Sequence, residues 1–185
     1  VRALKDGKTK YTPSAGIPEL RQAIALHVGE TRGVKVTPEM VVVTPGAKPI
    51  MFFTILALVE EGDEVLIPAP GYPVYESMVK YCGGTPVPYR LREESHFRFD
   101  PDEFRAKATS KTKLIILNTP HNPTGGVLEE ADLLVVAEVA QKYNITVFTD
   151  EIYGRVLYDG KFSSLLSLPG MLERTILLDG FSKTY

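Results

Sequence analysis

Lys113-Leu114-Ile115-Ile116-Leu117-Asn118-Thr119-Pro120-His121-Asn122-Pro123-Thr124-Gly125-Gly126, with the run from Glu129 to Tyr143 and the close Ile145-Thr146-Val147-Phe148-Thr149-Asp150, decides the fold. The apolar run Lys113 to Leu117 reads as a strand, and the proline- and glycine-rich stretch after it has neither helical nor strand period. From about Glu129 to Tyr143 the period is helical, with Leu133, Val136 and Ala140 on the buried face and Asn144 as the stop. Ile145 to Thr149 is the next strand. Strand, helix and strand in this order, with no charge inside the second strand, suit a parallel sheet covered on both faces.

The same alternation extends in both directions. Upstream, Pro18 to about Glu30 is an amphipathic helix with Leu20, Ile24 and Val28 on one stripe, and Pro18 is its first residue. Met40 to Thr44 reads as a short strand, and Pro49 to Glu60 as a buried helix, apolar nearly all round. Glu64 to Pro68 is a strand that turns through Ala69-Pro70-Gly71-Tyr72-Pro73 into a helix from about Val74 to Tyr81, closed by Gly83-Gly84. Thr85 to Tyr89 carries prolines and belongs at a sheet edge. Asp100-Pro101-Asp102-Glu103 opens a short helix with its own N-cap acceptor. Downstream, Thr175 to Leu178 is the last strand, followed by Asp179-Gly180-Phe181-Ser182-Lys183-Thr184-Tyr185. The expected class is α/β: a three-layer αβα arrangement of six strands in a mainly parallel sheet.

Composition narrows the classes. A chain of 185 residues can bury roughly 70% of its unfolded surface and is one domain by the usual prior. With 44% apolar and 24% charged residues it is globular, and a net charge of −2 offers no broad basic face, so no nucleic acid partner is expected. Cys82 is alone, which rules out an internal disulfide and a CxxC metal site, so no metal is expected and a reducing compartment is compatible. The longest apolar run, Ile50 to Val59, is too short to span a bilayer, so no membrane partner is expected. Position 1 is Val1, and both ends look cut.

In parallel sheets, ligands sit outside the carboxyl ends of the strands, and the unusual polar groups of this sequence gather at those ends. Gly46-Ala47-Lys48 opens a helix whose backbone N–H groups can meet a phosphate; it is also a plain strand-to-helix turn. Tyr72 can lie over a planar ligand or fill a core rim. Asn122, fixed among prolines and glycine, is a rigid amide donor or a turn cap. Asp150 ends an apolar strand, where a lone carboxylate is costly, so it is expected to face a cation, either a ligand's or a structural ion pair's. Tyr153 can point into the same pocket. Lys183 sits in the turn after the last strand, where a half-desolvated ammonium loses its proton and becomes a nucleophile able to form an imine; a solvated lysine is the other reading. His27, His96 and His121 are assigned no chemistry.

Phosphate cradle, aromatic lid, amide donor, buried acid and imine-forming lysine together describe a pocket for pyridoxal phosphate. The stretches Tyr11 to Leu20 (YTPSAGIPEL), Thr44 to Lys48 (TPGAK), Pro68 to Tyr75 (PAPGYPVY), Asn118 to Gly125 (NTPHNPTG), Asp150 to Tyr153 (DEIY) and Gly180 to Tyr185 (GFSKTY) run through the whole chain in order. They resemble the fold-type I aminotransferases of class I/II, closest to the aspartate and aromatic branch. The resemblance implies a pyridoxal-phosphate-dependent aminotransferase working between 2-amino and 2-oxo acids. Lys183 would hold the cofactor as an internal aldimine and shuttle the Cα proton, and Asp150 would keep the pyridine nitrogen protonated. Asn122 and Tyr153 would bond the ring's phenolic oxygen, Tyr72 would stack on the ring, and Gly46, Ala47, Lys48 and Ser182 would hold the phosphate. Tyr11 matches the tyrosine that family members lend to the phosphate across a dimer interface, so a homodimer is implied, and the expected compartment is the cytoplasm.

Against that family the chain reads as an incomplete large domain over residues 1–185, ending after the lysine. The N-terminal arm, the small C-terminal domain and the family's arginines for phosphate and substrate carboxylate are all missing from it, and Gly180 stands where some members have a serine. The family's seventh strand would follow Tyr185, so its loss would leave open edges at Met40 to Thr44 and Thr175 to Leu178. Little activity is expected of the 185 residues alone. A lyase or synthase of the same fold, a pyridoxal-phosphate-binding sensor domain of a transcription regulator, and a plain doubly wound domain are the competing readings.

Overall fold

The computed structural model describes all residues from Val1 to Tyr185 and divides them into two compact units, Val1–Pro45 and Gly46–Tyr185. In the first unit α1 spans Arg2–Lys5 and α2 spans Pro18–Arg32. Pro18 starts α2 because its fixed φ suits the helix and its missing N–H needs no partner there. Gly33, at φ 66°, ends it in the left-handed conformation that glycine adopts without strain.

The expected strand Met40 to Thr44 is a correction. Met40 closes a short 3-10 turn and Val41 is extended, at φ −108° and ψ 128°, but the segment enters no ladder. Local partners take the backbone instead: the Arg21 Nε–H donates to the Val41 carbonyl (2.9 Å) and the Val43 N–H donates to the Ala15 carbonyl (2.9 Å). β-Branching favours extended backbone, whereas a ladder needs a neighbour that the local sequence does not supply.

The second unit runs α3 (Lys48–Leu58), β1 (Glu64–Ala69), α4 (Pro73–Tyr81), β2 (Thr85–Arg92), β3 (Arg98–Phe99), α5 (Pro101–Lys107), β4 (Thr112–Asn118), α6 (Glu130–Tyr143), β5 (Thr146–Asp150) and β6 (Thr175–Leu178). The six strands form one sheet in the order β3-β2-β1-β4-β5-β6, parallel except for β3. The expected total of six is met by a different set, because β3 replaces Met40 to Thr44. This two-residue strand pairs only with Leu91 and Arg92. The proline-bearing part of β2 therefore keeps one edge unpaired, where Pro86 and Pro88 have no N–H to offer.

Strand alternation sorts the core into two layers. Leu66, Ile115, Leu117 and Val147 pack with Phe104 of α5 and Leu133, Val136 and Ala140 of α6. Val65, Ile67, Leu114, Ile116 and Phe148 pack with Met51 and Ile55 of α3 and Tyr75 and Val79 of α4. Leu114 to Leu117 are all completely buried, the pattern of a strand covered on both faces. Full burial stabilises each such side chain by about 1.5–3 kcal/mol. Helix α3 departs from the reading as buried all round: Met51, Thr54 and Ile55 face the sheet, while Phe53 and Leu56 stay half-exposed.

Candidate functional site

The carboxyl ends of β4 and β5 are tied together by an asparagine that the sequence reading missed. Asn118 pairs with Asp150 in register, its Nδ2 donates to the Asp150 carbonyl (3.1 Å), and its Oδ1 accepts from the Asn122 N–H (2.8 Å). One buried amide thereby fixes both Asn122 and the backbone of Asp150. The signal was available: Asn118, like Asp150, is a polar residue ending an apolar strand.

Asp150 is 3% exposed. Its Oδ2 accepts from the Tyr75 hydroxyl (2.7 Å) and its Oδ1 from the Ile152 N–H (3.2 Å), and it makes no salt bridge within the chain. Of the two cations the sequence leaves open for Asp150, the structural ion pair is the one the chain does not supply. Both donors are neutral, a phenol from the start of α4 and a backbone N–H from the turn after β5. Burial raises the carboxyl above its ordinary range and the charge of Asp179 adds to this, while the Tyr75 and Ile152 donors oppose it. The same contact drives the Tyr75 phenol far above its usual range, through burial first and Asp150 second.

Tyr72 is the N-cap of α4 and stands edge-on to Tyr75, with ring centroids 5.9 Å apart. It lines a pocket of about 230 Å³ with Pro68, Pro70, Pro86 and Pro88, and Asp150 is not among the lining residues. The turn before it requires glycine, since a Cβ on Gly71 would lie 2.3 Å from the Pro68 carbonyl oxygen. His121 is 5% exposed and holds the neighbouring loop: its Nδ1 lies 2.8 Å from the Thr124 hydroxyl, and burial lowers the imidazole to about 4.

Lys183 follows β6 by five positions, and Leu178 pairs with Asp150, so both residues sit at the same end of the sheet. The Lys183 ammonium lies 6.0 Å from the centre of the Tyr153 ring. The half-desolvated cleft expected around this amine is not found, because Lys183 and Ser182 are both exposed in a short turn beyond the last strand. Gly46, at φ 96°, leads into Ala47 and Lys48 at the start of α3. No side chain caps that start, which presents the positive end of the helix. Tyr11 belongs to the Val1–Pro45 unit and is fully exposed. Hydrogen bonds and one ring contact therefore join Tyr72, Tyr75, Asp150, Asn118 and Asn122, and Lys183 faces the Tyr153 ring.

Residues 2–185 match the family model for aminotransferase class I and II. The chain belongs to that family. It is 41% identical over 187 residues to a probable aspartate/prephenate aminotransferase of Aquifex aeolicus, matching 100% of this chain and 48% of that protein. An aspartate aminotransferase of Pyrococcus abyssi is 41% identical over 185 residues, with 99% and 48% of the two chains matched. Among solved structures, the aromatic aminotransferase from Pyrococcus horikoshii superposes with a TM-score of 0.95 at 39% identity, covering 100% of this chain and 50% of that one. The aspartate aminotransferase from Thermus thermophilus with maleate gives 0.92 at 38% identity, with coverage of 97% and 46%. The chain spans about half the length of the curated relatives it matches. No helix is long and apolar enough to cross a membrane.

Proposed function

We propose that the protein is a pyridoxal-phosphate-dependent aminotransferase that moves an amino group between 2-amino and 2-oxo acids, as the names of its aspartate and aromatic relatives suggest. The observation that carries this reading is the Asp150 carboxylate, buried at the end of β5 among neutral donors. Such a group is costly to ionise unless a cation meets it, and a protonated pyridine nitrogen is a cation of the right size and shape. Pyridoxal phosphate, when bound, supplies an electron sink that stabilises the negative charge left when Cα of the amino acid loses its proton.

The chain's own residues divide the remaining work. Lys183 anchors the cofactor through its amine and, once released, moves the Cα proton at Nζ. Asp150 holds the proton on the ring nitrogen. Asn122 and Tyr153 hydrogen-bond the phenolic oxygen, and Tyr72 covers the ring. The N–H groups of Gly46, Ala47 and Lys48 with the Ser182 hydroxyl hold the phosphate, and Tyr11 serves the partner subunit of a cytoplasmic homodimer. Residues 1–185 form an incomplete large domain in this reading.

The test is absorbance of the full-length protein supplied with pyridoxal phosphate. A visible band that borohydride removes, leaving a stable adduct on the peptide containing Lys183, supports the reading, as does amino transfer from aspartate or an aromatic amino acid that Lys183→Ala abolishes. The absence of any band in the intact protein would falsify it.

A further inference from the structure

Tyr75 lies one turn into α4, three positions beyond Tyr72, and is 1% exposed. A buried phenol hydroxyl finds a partner, and carbonyl oxygens are the common choice: Tyr89, equally buried in the same sheet unit, donates to the Ile116 carbonyl at 2.8 Å. Tyr75 spends its proton on a carboxylate instead, 75 positions away in sequence, at 2.7 Å. The two oxygens of Asp150 thus take donors from separate elements, Oδ2 from α4 and Oδ1 from the turn after β5. Two donors fix the plane of a carboxylate, which one leaves free to rotate. Three groups bear on its charge: the Tyr75 hydroxyl from α4 and the Ile152 N–H from its own turn favour the ion, and Asp179 beyond β6 opposes it.

We propose that Tyr75 is a positioning residue of this site, acting through Asp150 by setting the orientation of its carboxylate and keeping it in the acceptor form that a cationic ring nitrogen requires. The link to a ring nitrogen rests on the cofactor reading above, whereas the hold on Asp150 does not. Because Tyr72 and Tyr75 leave the same helix turn, the start of α4 delivers both the cover for a planar ligand and the donor that prepares the acid behind it.

The test compares the full-length protein with Tyr75→Phe, which keeps the ring and its packing and removes only the hydroxyl. In cofactor-free protein the Asp150 side-chain carbon, followed by ¹³C NMR against pH, should titrate at higher pH in Tyr75→Phe. 3-Fluorotyrosine placed at position 75, a stronger donor in the same place, should move it to lower pH. With pyridoxal phosphate as the probe, Tyr75→Phe should bind about tenfold more weakly, the loss of one hydrogen bond to a charged group. An unchanged Asp150 titration in both variants would overturn the proposal, and the fluorinated protein provides the answer if the phenylalanine variant does not fold. A shifted titration in a protein that binds no pyridoxal phosphate supports the hold of Tyr75 on Asp150 and overturns the cofactor reading alone.

Discussion

The two helical layers that cover the sheet treat their helix starts in opposite ways. Away from the site, α5 is capped by Asp100, which accepts from the N–H groups of Asp102 (3.0 Å) and Glu103 (2.8 Å). Helix α6 opens with a reciprocal capping box between Glu129 and Asp132, and Asp132 is further held by Arg98 at 2.7 Å. In the layer that carries the site, α3 starts at Ala47 and α4 at Tyr72, and neither start has a side-chain cap. An uncapped start forgoes about 1 kcal/mol and leaves N–H donors and the positive end of the helix for something outside the chain. The difference teaches where this fold spends stability on itself and where it holds donors in reserve.

The largest expected effect lies in the capped layer. Asp132→Ala removes the box and the two bonds from Arg98 to Asp132, leaving Arg98 its pairing with Glu129 at 2.9 Å. Chemical denaturation should show a loss of about 2 kcal/mol, a helix cap plus a charge-assisted hydrogen bond, while pyridoxal phosphate affinity per folded molecule stays unchanged. A comparable loss of affinity would break the comparison. Asp100→Ala in the same layer should cost about 1 kcal/mol, read from the denaturation midpoint.

The converse change adds an acid to the uncapped layer. Ala47→Asp should raise the stability of cofactor-free protein by about 0.5 kcal/mol through the helix dipole and should weaken binding of inorganic phosphate and pyridoxal phosphate by charge repulsion. Stabilisation without loss of phosphate affinity would mean that the start of α3 is merely an unfinished helix end.

The last expectation is a slope against pH. Asp150 is raised in the folded protein, so between the ordinary carboxylate value of 3.8 and its raised value the folded state binds the extra proton. Stability of cofactor-free protein should therefore fall as pH climbs through that window. Asp150→Asn should remove this fall and leave the cofactor-free protein more stable at neutral pH, measured by melting temperature, while weakening pyridoxal phosphate. His121 acts with the opposite sign. Its imidazole is lowered from 6.5 to about 4, so its contribution is present above 6.5 and is lost as pH drops toward 4. Replacing it with Gln should flatten that acid limb.

Strands β1, β4, β5 and β6 could be read locally because each is built on a short apolar run closed by a turn, and the polar residues marking their ends followed from the same boundaries. The antiparallel β3 could not, since Arg98 and Phe99 carry no periodic signal in two residues and pair only because the chain folds back through His96 and Phe97, both at positive φ. Tyr75 was overlooked for a related reason. A tyrosine on the buried face of an amphipathic helix looks like core until its hydroxyl is seen against Asp150.

Residue types and their order were enough to determine an α/β chain with a mainly parallel sheet, an acid, an amide and a lysine at its strand ends, and membership of an aminotransferase family. Those facts depend on near-neighbour patterns that a strand or turn writes into its own residues. The tertiary structure alone decided that Met40 to Thr44 stays out of the sheet, that Asp150 meets a phenol and not a base, and that Asn118 holds the end of β5 and the loop at Asn122 at once. Each of these depends on which distant segment arrives beside it, and hydrogen bonds across such gaps leave no period in the sequence.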